Sequence, residues 1–247
     1  MEKEIEKNKN TDISDTQSTE TPMKVIARVR TDFPEKFGIP RQSGLVPTVG
    51  RIVFEPKYRH PDALRGIEGY SHLWLIWSFH LAKRDEWSPT VRPPRLGGNA
   101  KMGVFATRSP FRPNPIGLSS VELIKVERTQ DEGDVIYVKG ADILDGTPIY
   151  DIKPYLPYTD SHPDARSGFA GEVMGYALEV EIGEEHKAML DAQELDALTE
   201  LLSQDPRPSY KADGDRIYGF LFGEKEIFFK VEDGRLTVTD IKVKRKC

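Results

Sequence analysis

Between residues 70 and 81 the chain reads YSHLWLIWSFHL, and alternate positions separate into two sets. Leu73, Leu75, Trp77, Phe79 and Leu81 are all apolar, whereas His72, Trp74, Ile76, Ser78 and His80 are mixed. A side-chain period of two predicts a strand with one face in a core. A mixed face with a Trp and two imidazoles is what a barrel strand shows when its other side also walls a ligand site. Shorter runs predict a first strand in VIARVR after Met23, strands near Leu118 to Glu127 and Val135 to Lys139, and hairpin strands over Ile217 to Phe222, Glu226 to Val231 and Leu236 to Val243. Gly, Pro and Asp turns separate the early runs with no helical pattern between them. The expected class is therefore mainly β, an antiparallel barrel or sandwich and not a doubly wound sheet.

A 3.6-residue period is found near the C-terminus. Leu190, Leu195, Leu198, Leu201 and Leu202 predict a helix over Gly183 to Gln204, with acids early in the segment where the helix dipole favours them. Asp205-Pro206-Arg207-Pro208-Ser209-Tyr210 stops it, and the late hairpin strands complete a smaller α+β domain. Residues 160–175 are small and polar and read as a linker. Residues 1–22 are nearly free of apolar side chains and read as a disordered tail. The expected organisation is thus a tail (1–22), a β-barrel domain (23–159), the linker and an α+β domain (176–247).

The stretch KMGVFATRSPFRPNPIGLS, residues 101–119, fits neither core nor ordinary turn. Met102 to Thr107 reads as extended, after which Pro110, Pro113 and Pro115 fix their own φ and push the preceding residues toward extended backbone. A stiff, non-helical loop results, able to hold Arg108, Arg112 and Asn114 in place before a ligand arrives. Gly117 then allows a close approach as the strand resumes. Alternatively, such a loop serves only to blunt a sheet edge.

Charge sharpens this picture. The 247-residue chain carries a net charge of -5, which argues against non-specific coating of nucleic acid. Yet no acid lies between Ser88 and Pro115, where Arg92, Arg95, Lys101, Arg108 and Arg112 all fall. A local basic face on an acidic protein suits a partner that docks in one place. The single cysteine, Cys247, excludes disulfide staples and thiolate clusters. No apolar run reaches membrane-spanning length and no signal-peptide pattern is present, so a cytoplasmic protein is expected. His72 and His80 have no further ligand at useful spacing, so no metal is expected. His72 reads as a hydrogen-bonded structural residue.

Several of these strings carry a resemblance. TRSPFRPNPIG, preceded by VRPPRLGGNAKMGVF and followed by DGTPIYDIKPYLPY, together with FGIPRQSGL and DPRPSY, resembles the TrmO family, also called TsaA-like or YaeB-like. The likeness runs from about Met23 to the C-terminus. It implies a small, dimerising β-barrel that binds S-adenosylmethionine without the usual Rossmann layout. It also implies methylation of N6 of threonylcarbamoyl-adenosine, next to the anticodon of tRNA (position 37). Ser43 stands where the family often has Pro. The cofactor residues that the likeness implies are Arg41, Gln42, Ser43, Gly44, Leu45, His80, Leu81, Arg108, Asn114, Leu118, Gly140, Ala141 and Asp142. Arg92, Arg95, Arg112, Lys153, Arg207 and Tyr210 are the candidates for tRNA contact, DPRPSY being equally readable as a helix-ending loop.

Methyl transfer from a sulfonium is an in-line displacement in which positioning dominates, worth on the order of 7–11 kcal/mol. The N6 nitrogen shares its lone pair with the purine and the carbonyl, so some group should accept its proton. His80, Asp142 and Asp151 are the candidates by type. The competing expectation is a non-catalytic β-barrel that binds RNA or a nucleotide. That reading calls for exposed aromatics among the basic residues, and they look sparse between Ser88 and Pro115.

Overall fold

The computed structural model describes residues 21–82, 86–93, 100–172, 175, 177–207 and 216–244. Six strands, β1 (Ala27–Arg30), β2 (Val49–Phe54), β3 (His72–Ser78), β6 (Ile116–Thr129), β7 (Gly133–Lys139) and β8 (Pro148–Pro154), close a ring in the order β1-β2-β7-β6-β3-β8. Every pairing in it is antiparallel. Two-residue strands β4 (Thr90–Val91) and β5 (Met102–Gly103) form a separate ribbon outside the ring.

Alternation fills the barrel. Leu73, Leu75 and Trp77 of β3 meet Val29, Ile52, Val121, Ile136, Val138 and Ile149 in one buried cluster. Each such side chain contributes roughly 1.5–3 kcal/mol by leaving water. The alternation of β3 does not continue to Leu81, which is exposed. The strand ends at Ser78, and the Ala82 N–H bonds to the Phe79 carbonyl to form a turn. The first strand likewise starts later than the expected Val25, at Ala27, while β6 runs past the expected end to Thr129. Met102 to Thr107 is extended over β5 and again at Thr107, not throughout. A 3-10 turn, Val104–Ala106, follows β5.

Beyond the last barrel strand lie two short turns of helix, α1 (Pro157–Asp160), at the end of the expected barrel domain, and α2 (Phe169–Glu172), in what reads from sequence as linker. The helix expected over Gly183 to Gln204 is two helices, α3 (Glu184–Lys187) and α4 (Ala192–Ser203). Asp191 divides them. Its carboxylate accepts the Glu194 N–H at 2.8 Å, while the Glu194 carboxylate accepts the Asp191 N–H at 2.9 Å. This reciprocal capping box satisfies N–H groups that the first turn of a new helix leaves without intrahelical partners. Strands β9 (Glu179–Glu181), β10 (Tyr218–Phe222), β11 (Lys225–Glu232) and β12 (Arg235–Val243) form a sheet in the order β10-β11-β12-β9, with β9 parallel to β12.

The core of this second sheet is not made by the C-terminal region alone. Phe33 and Val46, from the loop between β1 and β2, are buried in it, with Phe37 and Ile39 packed against it. Gly38 has φ +90, and a Cβ there would lie 2.3 Å from the Phe220 ring. Gly223 N–H bonds to Asp32 O at 2.7 Å, and Leu221 N–H to the Glu35 carboxylate at 2.8 Å. The 32–48 loop is thereby stitched along its length to the sheet. No helix among the described residues is long and apolar enough to cross a membrane.

Candidate active site

A cavity of about 720 Å³ opens at one end of the barrel, lined by the 32–48 loop, the end of β3 and the Pro-rich segment. That is the size of a small-molecule or nucleotide site. Its buried wall is built on one contact. Trp77 of β3 lies opposite Gly117 of β6, and a Cβ on Gly117 would fall 2.2 Å from the indole ring. Because Gly117 has no side chain, the indole lies flat across the strand. Its Nε1–H then donates to Ser119 Oγ at 2.9 Å, and the Ser119 hydroxyl donates to Asp142 Oδ1 at 2.5 Å.

Asp142 is the main electrostatic feature of this cavity. Burial pushes its carboxyl above the usual carboxylate range, offset in part by the Ser119 hydroxyl, its own backbone N–H, the Arg108 charge and the Ser43 N–H. The turn that delivers Ser43 is held by Gly44, whose N–H bonds to Gly140 O at 2.8 Å. Gly140 has φ +85, and a Cβ on it would be 3.0 Å from the Gly44 Cα, so the approach needs a glycine at 140, while at Gly44 it is the φ of +78 that favours glycine. Arg41 donates to the Asp205 carbonyl and Gln204 Nε2 to the Leu45 carbonyl at 3.1 Å, tying the same loop to the end of α4.

The Pro-rich segment is non-helical and held by its own turns, Arg112 N–H to Pro110 O at 3.0 Å and Ile116 N–H to Asn114 O at 2.7 Å. Arg108 donates to Gln42 Oε1 across the cavity. Behind this segment lies a second cavity of about 1010 Å³, lined by Arg92, Lys101, Arg108 and Arg112. Gln42, Thr107, Arg108, Pro110, Phe111 and Arg112 belong to both cavities, so the segment is the partition between them.

Arg41, Gln42, His80, Leu81, Arg108, Asn114, Leu118 and Asp142 come together in the first cavity. Ser43, Gly44, Leu45, Gly140 and Ala141 support it through the backbone turn and do not line it. Of the mixed face of β3, Trp74 and Ser78 line it and His72 does not. The His72 ring is 3.0 Å from Ser71 Oγ and packs on Tyr155. Trp74 is fixed by its indole N–H to Asp160 Oδ2 at 2.8 Å. Arg92 and Arg112 line the second cavity.

Other candidates lie elsewhere. Asp151 lies outside both cavities on β8, where its carboxylate meets Lys153 Nζ at 2.9 Å, so each neutralises the other on the barrel surface. Arg207 is also outside them. Its guanidinium grips the Asp205 carboxylate at 2.8 and 3.0 Å, and both side chains are only 13% exposed. This half-buried, two-pronged pair shapes the loop after α4. Arg95 and Tyr210 lie outside the described residues, as do residues 1–20 of the expected tail. Ser119 and Lys36 were not anticipated. Lys36 lines the first cavity and donates to Leu81 O at 2.9 Å. Ser119 had a signal: it is a small polar residue at an inward position of a strand, two places from a glycine.

Fold and site together define a β-barrel ligand-binding protein with a nucleotide-sized cavity beside a basic one. The chain belongs to the TrmO family: residues 28–161 match the tRNA-methyltransferase O N-terminal domain and residues 176–244 the TrmO C-terminal domain. It is 46% identical over 193 residues to the tRNA (adenine(37)-N6)-methyltransferase of Escherichia coli K12, covering 75% of this chain and 82% of that one. Over 142 residues it is 37% identical to a Methanothermobacter thermautotrophicus protein named "Probable S-adenosyl-L-methionine-binding protein", covering 58% of this chain and 95% of that one. The crystal structure of TrmO from P. aeruginosa superposes with a TM-score of 0.73 at 33% identity, covering 92% of this chain and 99% of that one.

Proposed function

We propose that this protein transfers a methyl group from S-adenosylmethionine to N6 of the adenosine at position 37 of tRNA, and that this adenosine already carries the threonylcarbamoyl group. The observation that carries the reading is the pairing of a cavity holding a half-buried carboxylate, Asp142, with a basic cavity across one Pro-rich partition. The first cavity fits the cofactor by its chemistry. Apolar Ile39, Trp77, Phe79 and Leu118 suit a purine and a thioether stem, Asp142 suits cationic or hydroxyl groups, and Arg41 and Arg108 suit a carboxylate. The cofactor supplies an electrophilic methyl on a sulfonium.

The chain's own part is positioning and proton removal. The second cavity receives the RNA through Arg92, Lys101 and Arg112. As the N6 to carbon bond forms and the carbon to sulfur bond breaks, the N6 proton must leave. Among the candidates only His80 and Asp142 line the cavity. Asp142 is engaged by Ser119 and Ser43 and would serve the cofactor's cationic or hydroxyl groups, so we assign the proton to His80. Exposed Leu81, Ile116 and Leu118 at the cavity mouth, with Ile124 further along β6, form an apolar margin suited to a second copy, and we propose a cytoplasmic homodimer.

The test is labelled methyl transfer to tRNA with and without the threonylcarbamoyl group, with cofactor affinity measured on the same protein. Transfer restricted to the modified tRNA is expected. His80→Gln should lower kcat and leave cofactor affinity intact. A folded protein that binds no S-adenosylmethionine would instead be the non-catalytic barrel.

A further inference from the structure

Two aromatic side chains outside the first cavity are without a role in the reading above. Trp87 precedes β4 and Phe105 follows β5, and the β4·β5 ribbon brings them together with ring centroids 6.1 Å apart. Both are large apolar groups left in water, Trp87 54% and Phe105 71% exposed. The backbone beneath them is fixed. Val104 is buried as an anchor, its N–H bonds to Pro89 O at 2.9 Å, and the Thr107 hydroxyl bonds to Val104 O at 2.9 Å. With Val104 turned in, Phe105 must point out. The Arg112 guanidinium lies 6.0 Å from the Phe105 ring centre.

The surroundings identify the occupant. Trp87 lines the second cavity with Arg92, Lys101, Arg108 and Arg112, and Glu86 is the one acid among its described lining residues. Among the described residues none of those four cations forms an ion pair. Flat exposed rings set among unneutralised cations are the arrangement that binds single-stranded nucleic acid, stacking for the base and charge for the phosphate. A second protein copy would be met by a larger apolar surface with fewer charges.

We propose that Trp87 and Phe105 form a stacking platform for an unpaired base of the RNA substrate next to the adenosine to be methylated. The platform positions the loop while Arg92 and Lys101 hold its phosphates. This rests on the tRNA-methyltransferase reading and names the residues that seat its substrate. It also meets the requirement for exposed aromatics among basic residues in a protein that is an enzyme.

The experiment measures binding of tRNA carrying threonylcarbamoyl-adenosine across a salt series, for wild type, Trp87→Ala, Trp87→Phe, Phe105→Ala and Arg92→Ala. Loss of one stacked base should weaken binding roughly 5- to 150-fold. In Trp87→Ala and Phe105→Ala this loss should leave the slope of log K against log salt unchanged and cofactor affinity intact. Trp87→Phe should retain most of the affinity. Arg92→Ala should instead flatten the slope by about 0.7 to 0.9. Wild-type tRNA affinity in both alanine variants overturns the platform, and so does a parallel loss of cofactor binding, which would mark a folding effect. A change of oligomeric state on Trp87→Ala would assign the rings to a subunit interface and overturn it too. If wild type neither binds nor methylates tRNA, the functional reading fails and the platform falls with it. Failure of the platform alone requires an active wild type with indifferent variants.

Discussion

Gly117→Ala tests the construction of the cavity wall. The added methyl would sit 2.2, 2.4 and 2.5 Å from Cε2, Cζ2 and Cδ2 of Trp77, all ring atoms of a side chain that is 6% exposed. No flexible tip can give way, so the indole or the β3·β6 pairing must move. Overpacking of this kind costs about 1–3 kcal/mol. Loss of the indole bond to Ser119 adds about 0.5–1.5 kcal/mol, and the entropy gained in replacing a glycine returns about 0.4–1 kcal/mol. A net loss of roughly 0.5–4 kcal/mol follows, or about 1–16 °C in Tm for a chain of this size. Urea denaturation measures the first and calorimetry the second. Because the Ser119 hydroxyl loses its fixed orientation toward Asp142, cofactor affinity should fall by roughly tenfold. The decisive control is Trp77→Leu, which removes the ring. In that background Gly117→Ala should cost close to nothing, giving a coupling of at least about 1 kcal/mol. An equal penalty in both backgrounds, or a wild-type stability for the single variant, would refute the reasoning.

Two further variants probe the loop and the carboxylate. Gly38→Ala combines a left-handed φ of +90 with a Cβ 2.3 Å from the Phe220 ring, so it should destabilise by about 2–4 kcal/mol. It should also weaken cofactor binding, since the displaced loop carries residues 41–44; unchanged affinity would show that the stitching to the C-terminal sheet is irrelevant to the cavity. For Asp142 the folded carboxyl titrates above its unfolded value, so its contribution favours the fold below the unfolded value and is lost as pH rises through the folded one. A cationic ligand requires the carboxylate, so cofactor affinity should move the other way, falling as pH drops through the raised value, with proton release on binding detectable in buffers of different ionisation enthalpy. Asp142→Asn should abolish both dependences; a persisting pH limb would assign it to another group.

What could be read from the sequence depended on range. The alternation of β3 up to Ser78 and the non-helical backbone of a segment with Pro110, Pro113 and Pro115 are local properties, and both appear in the structure. The β9 strand is three residues long and pairs with distant β12, so no local pattern marks it. The break between α3 and α4 was legible, since D-x-x-E at Asp191 and Glu194 is a capping-box signature that the leucine period obscured. In the site, the residue types were sound guides only where backbone turns converge. Asp142 and Asp151 are equivalent as text, yet one accepts from the Ser119 hydroxyl at the cavity and the other faces its own cation, Lys153. Trp87 and Phe105 look isolated in sequence because only the ribbon between them makes them neighbours.

The shared partition has a consequence for how the two ligands act on each other. Arg108 reaches Gln42 on the cofactor side and also lines the basic cavity, while Arg112 is held to the Thr107 carbonyl at 3.3 Å and lies near the Phe105 ring. A ligand in either cavity that fixes this segment lowers the ordering cost for the other, and linkage makes the effect reciprocal. The prolines keep that effect modest, because a segment already rigid has little entropy left to lose. The stiffness of the partition therefore favours two nearly preformed sites over a strictly ordered assembly. It places the burden of alignment on the fixed wall of Trp77, Ser119 and Asp142, not on closure of a loop.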